Sequence, residues 1–159
     1  IVIHGTAGGS YEGIQKWMYN GEREKEYMNG IGLFHYLVSR SGEICEIIPP
    51  EYWVYHSSCG LHDKKTIGIE LINTKVKNEG NYTYSQYESL FRLIFDELLI
   101  VFPTITRITT HNYNHKKYKN SPWGCPGKNF DFTMFDDELI TRGYNFKTYQ
   151  DLKYQIKKI

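Results

Sequence analysis

The sequence predicts a single α/β domain in which helices flank one central, mostly mixed β-sheet. Short runs of aliphatic and β-branched residues recur along the chain, and segments with helical apolar spacing lie between them. The length of 159 residues suits one domain with one hydrophobic core. This alternation favours an α/β arrangement, or an α+β arrangement around a single sheet.

The first half of the chain carries four strand signals and one helix signal. The strand signals are apolar runs bounded by polar or turn residues, at residues 1–4, 33–39, 43–48 and 66–72. The second and third runs are separated by Arg40-Ser41-Gly42, which is typical of a hairpin turn. Ser10 is a candidate N-cap for a helix that places Ile14, Trp17 and Met18 on one face.

The clearest helix of the second half begins after Thr83, which forms a capping box with Gln86. Its apolar stripe runs to Pro103 and consists of Tyr87, Leu90, Phe91, Ile94, Phe95 and Leu98. Residues 105–110 predict another strand, and residues 111–129 predict a long loop of the kind that often carries function. A last helix is expected after Thr148, with Tyr149, Leu152 and Ile156 on one face.

Composition narrows the possible function classes. Nineteen basic against 18 acidic residues give a formal charge of +1, which argues against a nucleic-acid-binding face. No apolar run approaches the ~20 residues of a membrane span. Aromatic residues make up 16% of the chain, and we expect part of them in the core and part beside the candidate site. The chain does not begin with methionine, so we expect a processed protein or an excised segment.

Three cysteines are too few for a disulfide framework, and the odd number leaves at least one thiol for another task. Cys45 alternates with isoleucines in a predicted strand, which is typical of a small buried side chain. Cys59 lies in a loop, and the sequence does not decide whether the two form a disulfide.

His4, His111 and Cys125 are candidate metal ligands. Each histidine ends a predicted strand, and Cys125 lies on the long loop that follows His111. A His-His-Cys set on zinc leaves the fourth tetrahedral position open, which is the arrangement of catalytic sites. The alternative is two hydrogen-bonded strand-end histidines and a small loop cysteine. His115 is expected to be solvated, because the residues around it favour a loop.

Glu70 is the second unusual residue, because it lies within the apolar run at residues 66–72. Strand alternation places Ile67, Ile69 and Leu71 on one face and Gly68 and Glu70 on the other. A carboxylate there costs several kcal/mol unless it faces water, a cation or a polar site. It is either a solvent-facing residue of an edge strand or a general base beside a metal-bound water.

Five segments, in this order and spacing, resemble the zinc-dependent N-acetylmuramoyl-L-alanine amidases of the type-2 family. They are IVIHGTAGG at residues 1–9, FHYLV at 34–38, TIGIELIN at 66–73, ITTH at 108–111 and CPGKNFDF at 125–132. The family includes phage lysozyme-like endolysins, cell-wall recycling amidases and peptidoglycan recognition proteins. The resemblance implies the fold of these proteins and a single amidase domain over residues 1–159. Its motifs lie within residues 1–132, and residues 133–159 form a C-terminal extension with a helix.

The resemblance also implies roles for individual residues. Zn²⁺ would be held by His4, His111 and Cys125, and Glu70 matches the glutamate that activates water in the recycling-type enzymes. Segments near the substrate in the family correspond to Thr6, His35, His56 and Trp123.

Two departures separate this chain from the phage-type branch. Phe34 stands where that branch carries a catalytic tyrosine, and Trp123 stands where it carries a lysine. Tyr36 is two residues from Phe34, and we expect it on the same strand face. The donor that stabilises the oxyanion is therefore left open by the sequence.

The activity implied by the resemblance is hydrolysis of the amide between N-acetylmuramic acid and the L-alanine of a stem peptide. The expected partner is peptidoglycan or a muropeptide, with no nucleic acid and no membrane span, and the protein is expected to be a monomer. It would act at the cell wall as a secreted, periplasmic or phage-delivered protein. The alternatives are a peptidoglycan-binding module without activity and a zinc peptidase that acts on another amide.

Overall fold

The computed structural model describes residues 1–19, 34–57, 60–74, 80–114, 125–149 and 153–158. Within these ranges, seven strands form one sheet: β1 (Val2–Gly5), β2 (Tyr36–Val38), β3 (Ile44–Glu46), β4 (Gly68–Leu71), β5 (Arg107–Thr110), β6 (Tyr144–Tyr149) and β7 (Lys153–Lys158). Helix α1 spans Tyr11–Tyr19, and α3 spans Phe132–Thr141. Helix α2 begins at Tyr84–Phe91, continues as a π-helix over Arg92–Leu98 and ends with Leu99–Val101.

The strand order is β3-β2-β4-β1-β5-β7-β6. The four central strands β2, β4, β1 and β5 run parallel to one another, whereas β3 pairs antiparallel with β2, and β7 pairs antiparallel with both β5 and β6. The predicted mixed sheet with flanking helices is therefore confirmed. Because the parallel strands end at the same edge, the residues that end β1, β4 and β5 lie close together.

The main core lies between one face of the sheet and helices α2 and α3. All six residues of the predicted stripe on α2 are buried there, together with Phe135 and Leu139 of α3. The predicted capping box is present: the Thr83 side chain accepts a hydrogen bond from the Gln86 backbone, and the Gln86 side chain accepts one from the Thr83 backbone.

Helix α1 covers the opposite face of the sheet with a smaller cluster. Tyr11, Phe34, Leu37 and Ile72 are its buried members, and Ile14 and Met18 of α1 pack against them. The predicted cap is present, because the Ser10 hydroxyl accepts a hydrogen bond from the Gly13 N–H at 3.0 Å. Alternation along β4 is confirmed as well, since Ile67, Ile69 and Leu71 all face the main core.

The predicted C-terminal helix after Thr148 is wrong, because β6 and β7 form an antiparallel hairpin in this region. The residue pattern is compatible with strands, since Tyr144, Phe146 and Thr148 are aromatic or β-branched at every second position. Backbone pairing of β7 with β5 then extends the sheet, which is a long-range contact that local sequence does not encode.

Two further elements differ from expectation. Helix α3 was not predicted from the sequence; the side chain of its N-cap, Asp131, accepts hydrogen bonds from the backbone of Thr133 and Met134. The predicted loop at residues 111–129 begins with a helical turn at residues 111–114, and residues 115–124 lie outside the described part. Within the described ranges, no helix combines the length and the apolar character needed to cross a membrane.

Candidate active site

Three side chains with metal-ligand chemistry meet at the carboxyl edge of the central strands. His4 lies near the end of β1, and His111 follows β5 directly, so the parallel pairing of these strands brings the two imidazoles together. Their ring centroids are 4.6 Å apart. Cys125 approaches from the segment before α3, and one ligand atom from each of the three residues lies within 4.8 Å of the others. All three side chains are buried.

The backbone of β1 holds the Cys125 thiol in place. The Gly5 N–H donates to Sγ at 2.9 Å, and the Asn112 N–H donates to the Cys125 carbonyl at 2.8 Å, which ties the cysteine to the residue after His111. Burial raises the pKa of the thiol well above its usual range, Glu70 raises it further, and the Gly5 hydrogen bond opposes both. A thiolate at this position therefore requires a neighbouring cation, and a metal ion would supply one.

His4 is in the protonation state that binds metals. Burial lowers its pKa well below the usual range, and the neighbouring histidines His111, His56 and His35 lower it further. The ring is therefore neutral near pH 7, and a neutral imidazole has a lone pair to offer. Two imidazoles and one thiol, all buried and within reach of one ion, fit zinc with one coordination position left for water or substrate.

Glu70 lies beside these three candidate metal ligands. It pairs in register with His4 across β4 and β1, and its Oε1 is 3.9 Å from His4 Nδ1. Burial raises the pKa of Glu70 to about 8. Its Oε2 is buried and has no hydrogen-bond partner among the described residues. The edge-strand alternative for Glu70 is wrong, because β4 lies between β2 and β1 in the interior of the sheet.

The residues expected near the substrate lie in different surroundings, and one of them lies outside the described residues. Thr6 is buried at the end of β1, where its hydroxyl accepts from the Asn73 N–H at 2.8 Å and donates to the Asn73 carbonyl at 3.3 Å. His35 is fully buried; its Nδ1 accepts from the Gly68 N–H at 2.9 Å, and its Nε2 lies 2.9 Å from the Tyr52 carbonyl. Trp123, like His115 and Cys59, lies outside the described residues.

His56 lies against the candidate ligand His4. Its Nδ1 is 3.0 Å from His4 Nε2, and its Nε2 is 2.9 Å from the hydroxyl oxygen of Thr66. The ring is buried, and both nitrogens already have partners within the protein. For His35 and His56, these contacts favour a structural role over the expected contact with substrate.

Tyr36 does not replace the tyrosine that is missing at Phe34. The expectation that the two share a face is wrong: Phe34 packs in the α1 cluster, whereas Tyr36 packs in the main core and donates to Glu46 Oε2 at 3.0 Å. Phe34 precedes the regular strand β2, so the alternation of a strand does not extend to it.

Several residues around the site were not singled out from the sequence. Tyr82, just before the cap of α2, donates to the carbonyl of Pro126 at 2.6 Å and so holds the residue after Cys125. Thr66 and Asp63 surround His56 from the turn before β4. Thr66 begins the TIGIELIN segment, but no sequence pattern indicates its contact with His56. Tyr82 and Asp63 belong to no motif, because their partners are distant in the sequence or lie in an irregular segment. Cys45, expected to be buried, is a free and half-buried thiol 3.4 Å from the Tyr19 hydroxyl.

Comparison with known proteins places this chain in the class of the peptidoglycan amidases. The family model Amidase_2, described as N-acetylmuramoyl-L-alanine amidase, matches residues 1–128. The chain therefore belongs to the N-acetylmuramoyl-L-alanine amidase family, and the family resemblance noted in the sequence is confirmed. A search of curated proteins found no match.

Solved structures of similar fold support the architecture. AmpD, solved as a selenomethionine derivative, aligns with a TM-score of 0.60 and 23% identity over 86% of this chain and 82% of its own. The N-acetylmuramoyl-L-alanine amidase LysC from Clostridium intestinale aligns with 0.62 and 23% over 88% and 81%. Drosophila peptidoglycan recognition protein SD aligns with 0.59 and 17% over 80% and 73%. At these identities the likeness concerns the fold.

Proposed function

We propose that this protein is a zinc-dependent amidase that cleaves the bond between N-acetylmuramic acid and the L-alanine of peptidoglycan stem peptides. The observation that carries the proposal is the convergence of His4, His111 and Cys125 beside Glu70, in a chain that belongs to this amidase family. His4, His111 and Cys125 would hold the ion.

Zinc bound at such a site would polarise a carbonyl and lower the pKa of a bound water to about 7. Glu70 is the general base in this proposal, because its carboxylate is the acidic side chain that faces the donor set from the adjacent strand. It accepts the proton of the attacking water and delivers it to the nitrogen of the leaving L-alanine. No other described acid is paired in register with a candidate ligand.

The charges of the three candidate ligands suit the role of Glu70 as general base. A Cys125 thiolate with two neutral imidazoles leaves one net positive charge on the site when zinc is bound. That charge attracts the Glu70 carboxylate and opposes the effect of burial, which in the metal-free protein raises the pKa of Glu70 to about 8. A base whose pKa lies near the working pH is the most efficient in proton transfer.

The substrate in this proposal is peptidoglycan or a muropeptide, and the site of action is the cell wall. The family assignment supports this, and LysC is an N-acetylmuramoyl-L-alanine amidase by its name. The exposed rings of Tyr52 and Trp53 line a pocket with Ile1 and Ile105, which precede β1 and β5, so they lie at the opposite edge of the sheet from this site. A contact of Trp123 with the substrate remains a prediction from the sequence.

The test is product analysis with zinc-loaded protein and purified peptidoglycan. Amidase action releases intact stem peptides with a free L-alanine amino group and leaves glycan strands with free lactyl carboxyl groups, and both are distinguished by mass spectrometry. The matched control is Cys125→Ala, which should release neither product. Cleavage within the peptide would identify a peptidase instead, and binding to peptidoglycan without turnover would identify a recognition module.

A further inference from the structure

We propose that His56 is a positioning residue that sets the tautomer of His4 and thereby presents an unprotonated Nδ1 of His4 to the metal site. The inference rests on the proposed function only in taking His4 as a metal ligand. It follows from a chain of hydrogen bonds that runs from Thr66 through His56 to His4.

The first link of this chain determines which nitrogen of His56 carries a proton. The Thr66 hydroxyl donates its one proton to the His62 carbonyl at 3.0 Å, so toward His56 it acts as an acceptor. The Thr66 carbonyl, a second acceptor, lies 3.3 Å from the same Nε2 of His56. Asp63 Oδ1 lies 3.9 Å from that nitrogen and adds negative charge. Nε2 of His56 is therefore the protonated nitrogen.

The second link carries this assignment to His4. With its proton on Nε2, a neutral His56 offers a lone pair at Nδ1, so the 3.0 Å contact requires His4 to donate from its Nε2. The single proton of a neutral His4 is then on Nε2, and its Nδ1 has the lone pair. A second proton on His56 would bury a positive charge next to a cation site, which is unfavourable.

The position of Nδ1 of His4 agrees with a proton on its Nε2. Nδ1 of His4 is the nitrogen nearest Glu70, 3.9 Å from its Oε1, on the side where the proposed base lies. The other tautomer would place the proton of His4 on this side and leave no lone pair for a metal. Orientation of a ligand histidine by a hydrogen bond to its second nitrogen is a general feature of metal sites, where its loss reduces metal affinity or activity 10- to 100-fold.

Packing holds the His56 ring in the orientation that the hydrogen bonds to Thr66 and His4 require. The rings of His56 and His4 meet edge to face, with an interplanar angle of 84° and centroids 5.1 Å apart. Gly68 of β4 leaves space for the ring, since a Cβ at this position would lie 2.7 Å from Cγ of His56. Both histidines are buried, so water does not compete for either nitrogen.

The decisive measurement is the tautomer of His4 in the metal-free protein, read from long-range ¹⁵N–¹H NMR correlations of the histidine rings. The inference requires a proton on Nε2 of His4 and on Nε2 of His56. Addition of ¹¹³Cd²⁺, used as the probe ion, should give ¹¹³Cd–¹⁵N coupling at Nδ1 of His4. A proton on Nδ1 of metal-free His4, or coupling at its Nε2, would overturn the inference.

A matched pair of substitutions tests the role in metal affinity. His56→Asn keeps an acceptor near the position of Nδ1, whereas His56→Leu removes it at similar volume. By competition with a zinc chelator, His56→Leu should bind zinc 10- to 100-fold more weakly than the wild type, and His56→Asn should recover most of that loss. Equal affinities in all three proteins would overturn the inference.

Failure of this inference is distinguishable from failure of the proposed function. If the wild type binds zinc and cleaves peptidoglycan but His56→Leu keeps full zinc affinity, only the positioning role of His56 is wrong. If the wild type does not bind zinc, the proposed function is wrong. The tautomers of His4 and His56 in the metal-free protein then still show whether the proposed hydrogen bonds exist. The same NMR measurement on the wild type decides the matter if His56→Leu does not fold.

Discussion

His4 and Glu70 occupy directly paired positions on the adjacent parallel strands β1 and β4, and Oε1 of Glu70 lies 3.9 Å from Nδ1 of His4. Paired residues of neighbouring strands project to the same face of the sheet. The strand pairing that builds the centre of the sheet therefore also places the proposed base next to a proposed ligand. The strand pairing fixes the backbone positions of both residues, and proton transfer at a metal site requires such precise placement.

Replacement of Cys125 by alanine should abolish zinc binding and turnover together. Two neutral imidazoles remain in that variant, but the thiolate charge that offsets the cation is lost. Zinc content measured by elemental analysis after dialysis should fall to background, with peptidoglycan hydrolysis falling in parallel. Retention of stoichiometric zinc would contradict the assignment of Cys125 as a ligand.

Replacement of Glu70 by glutamine should separate the two properties. The amide keeps the shape of the side chain but does not accept the water proton, so zinc content should stay at the wild-type level while turnover falls about 100-fold or more. The measurement is release of stem peptides from purified peptidoglycan under single-turnover conditions. Hydrolysis at the wild-type rate would show that another group is the base.

The stability of the metal-free protein should depend on Glu70 between about pH 4.5 and 8. Burial raises the pKa of the folded carboxyl from 4.5 to about 8, so the folded state holds a proton that the unfolded state has already released. The contribution of Glu70 is fully present below pH 4.5 and is lost as the pH rises through 8, on the order of a few kcal/mol.

The buried histidines change the stability with pH in the opposite direction to Glu70. The effect of Glu70 must therefore be measured as a difference between two proteins. Burial lowers the pKa values of His4 and His56, so their contribution is lost as the pH falls below 6.5. Urea unfolding of the metal-free wild type and of Glu70→Gln isolates the carboxyl: the wild type should lose stability relative to the variant from pH 5 to 8. A pH-independent difference would show that Glu70 titrates normally.

Substitution of Gly68 by alanine should weaken zinc binding without touching a ligand. The added Cβ would lie 2.7 Å from Cγ of His56, so the ring must shift, and its 3.0 Å contact with His4 changes with it. We expect a stability loss of about 1–3 kcal/mol and a zinc affinity reduced about 10-fold. The control is Gly143→Ala at the end of α3, where a Cβ meets nothing within 4 Å but the φ of +70° strains an L-residue.

The control should lower the unfolding midpoint and leave zinc affinity unchanged. Chelator competition on the folded fraction of each variant makes the comparison. If Gly68→Ala and Gly143→Ala both keep wild-type zinc affinity, the close packing of His56 on β4 has no influence on the metal site.

Local chemistry explains which parts of the fold were predictable. The cap of α2 by Thr83 and the alternation of Ile67, Ile69 and Leu71 depend on residues within four positions of one another, and both are present as predicted. The C-terminal hairpin was not predictable in the same way. Residues 148–156 carry apolar spacing that also fits a helix, and pairing of β7 with the distant strand β5 selects the strand.

By itself, the sequence predicted the class of fold from short-range patterns, and its five motifs predicted the family. It also singled out His4, His111 and Cys125 as candidate ligands and Glu70 as a candidate base, from strand ends, a loop cysteine and strand alternation. Only the tertiary structure decided that these side chains meet, that Tyr36 faces away from the site and that His56 contacts His4. The reason is physical: residues 52 positions apart become neighbours through strand order and register, and hydrogen-bond partners across that distance leave no periodic trace in the sequence.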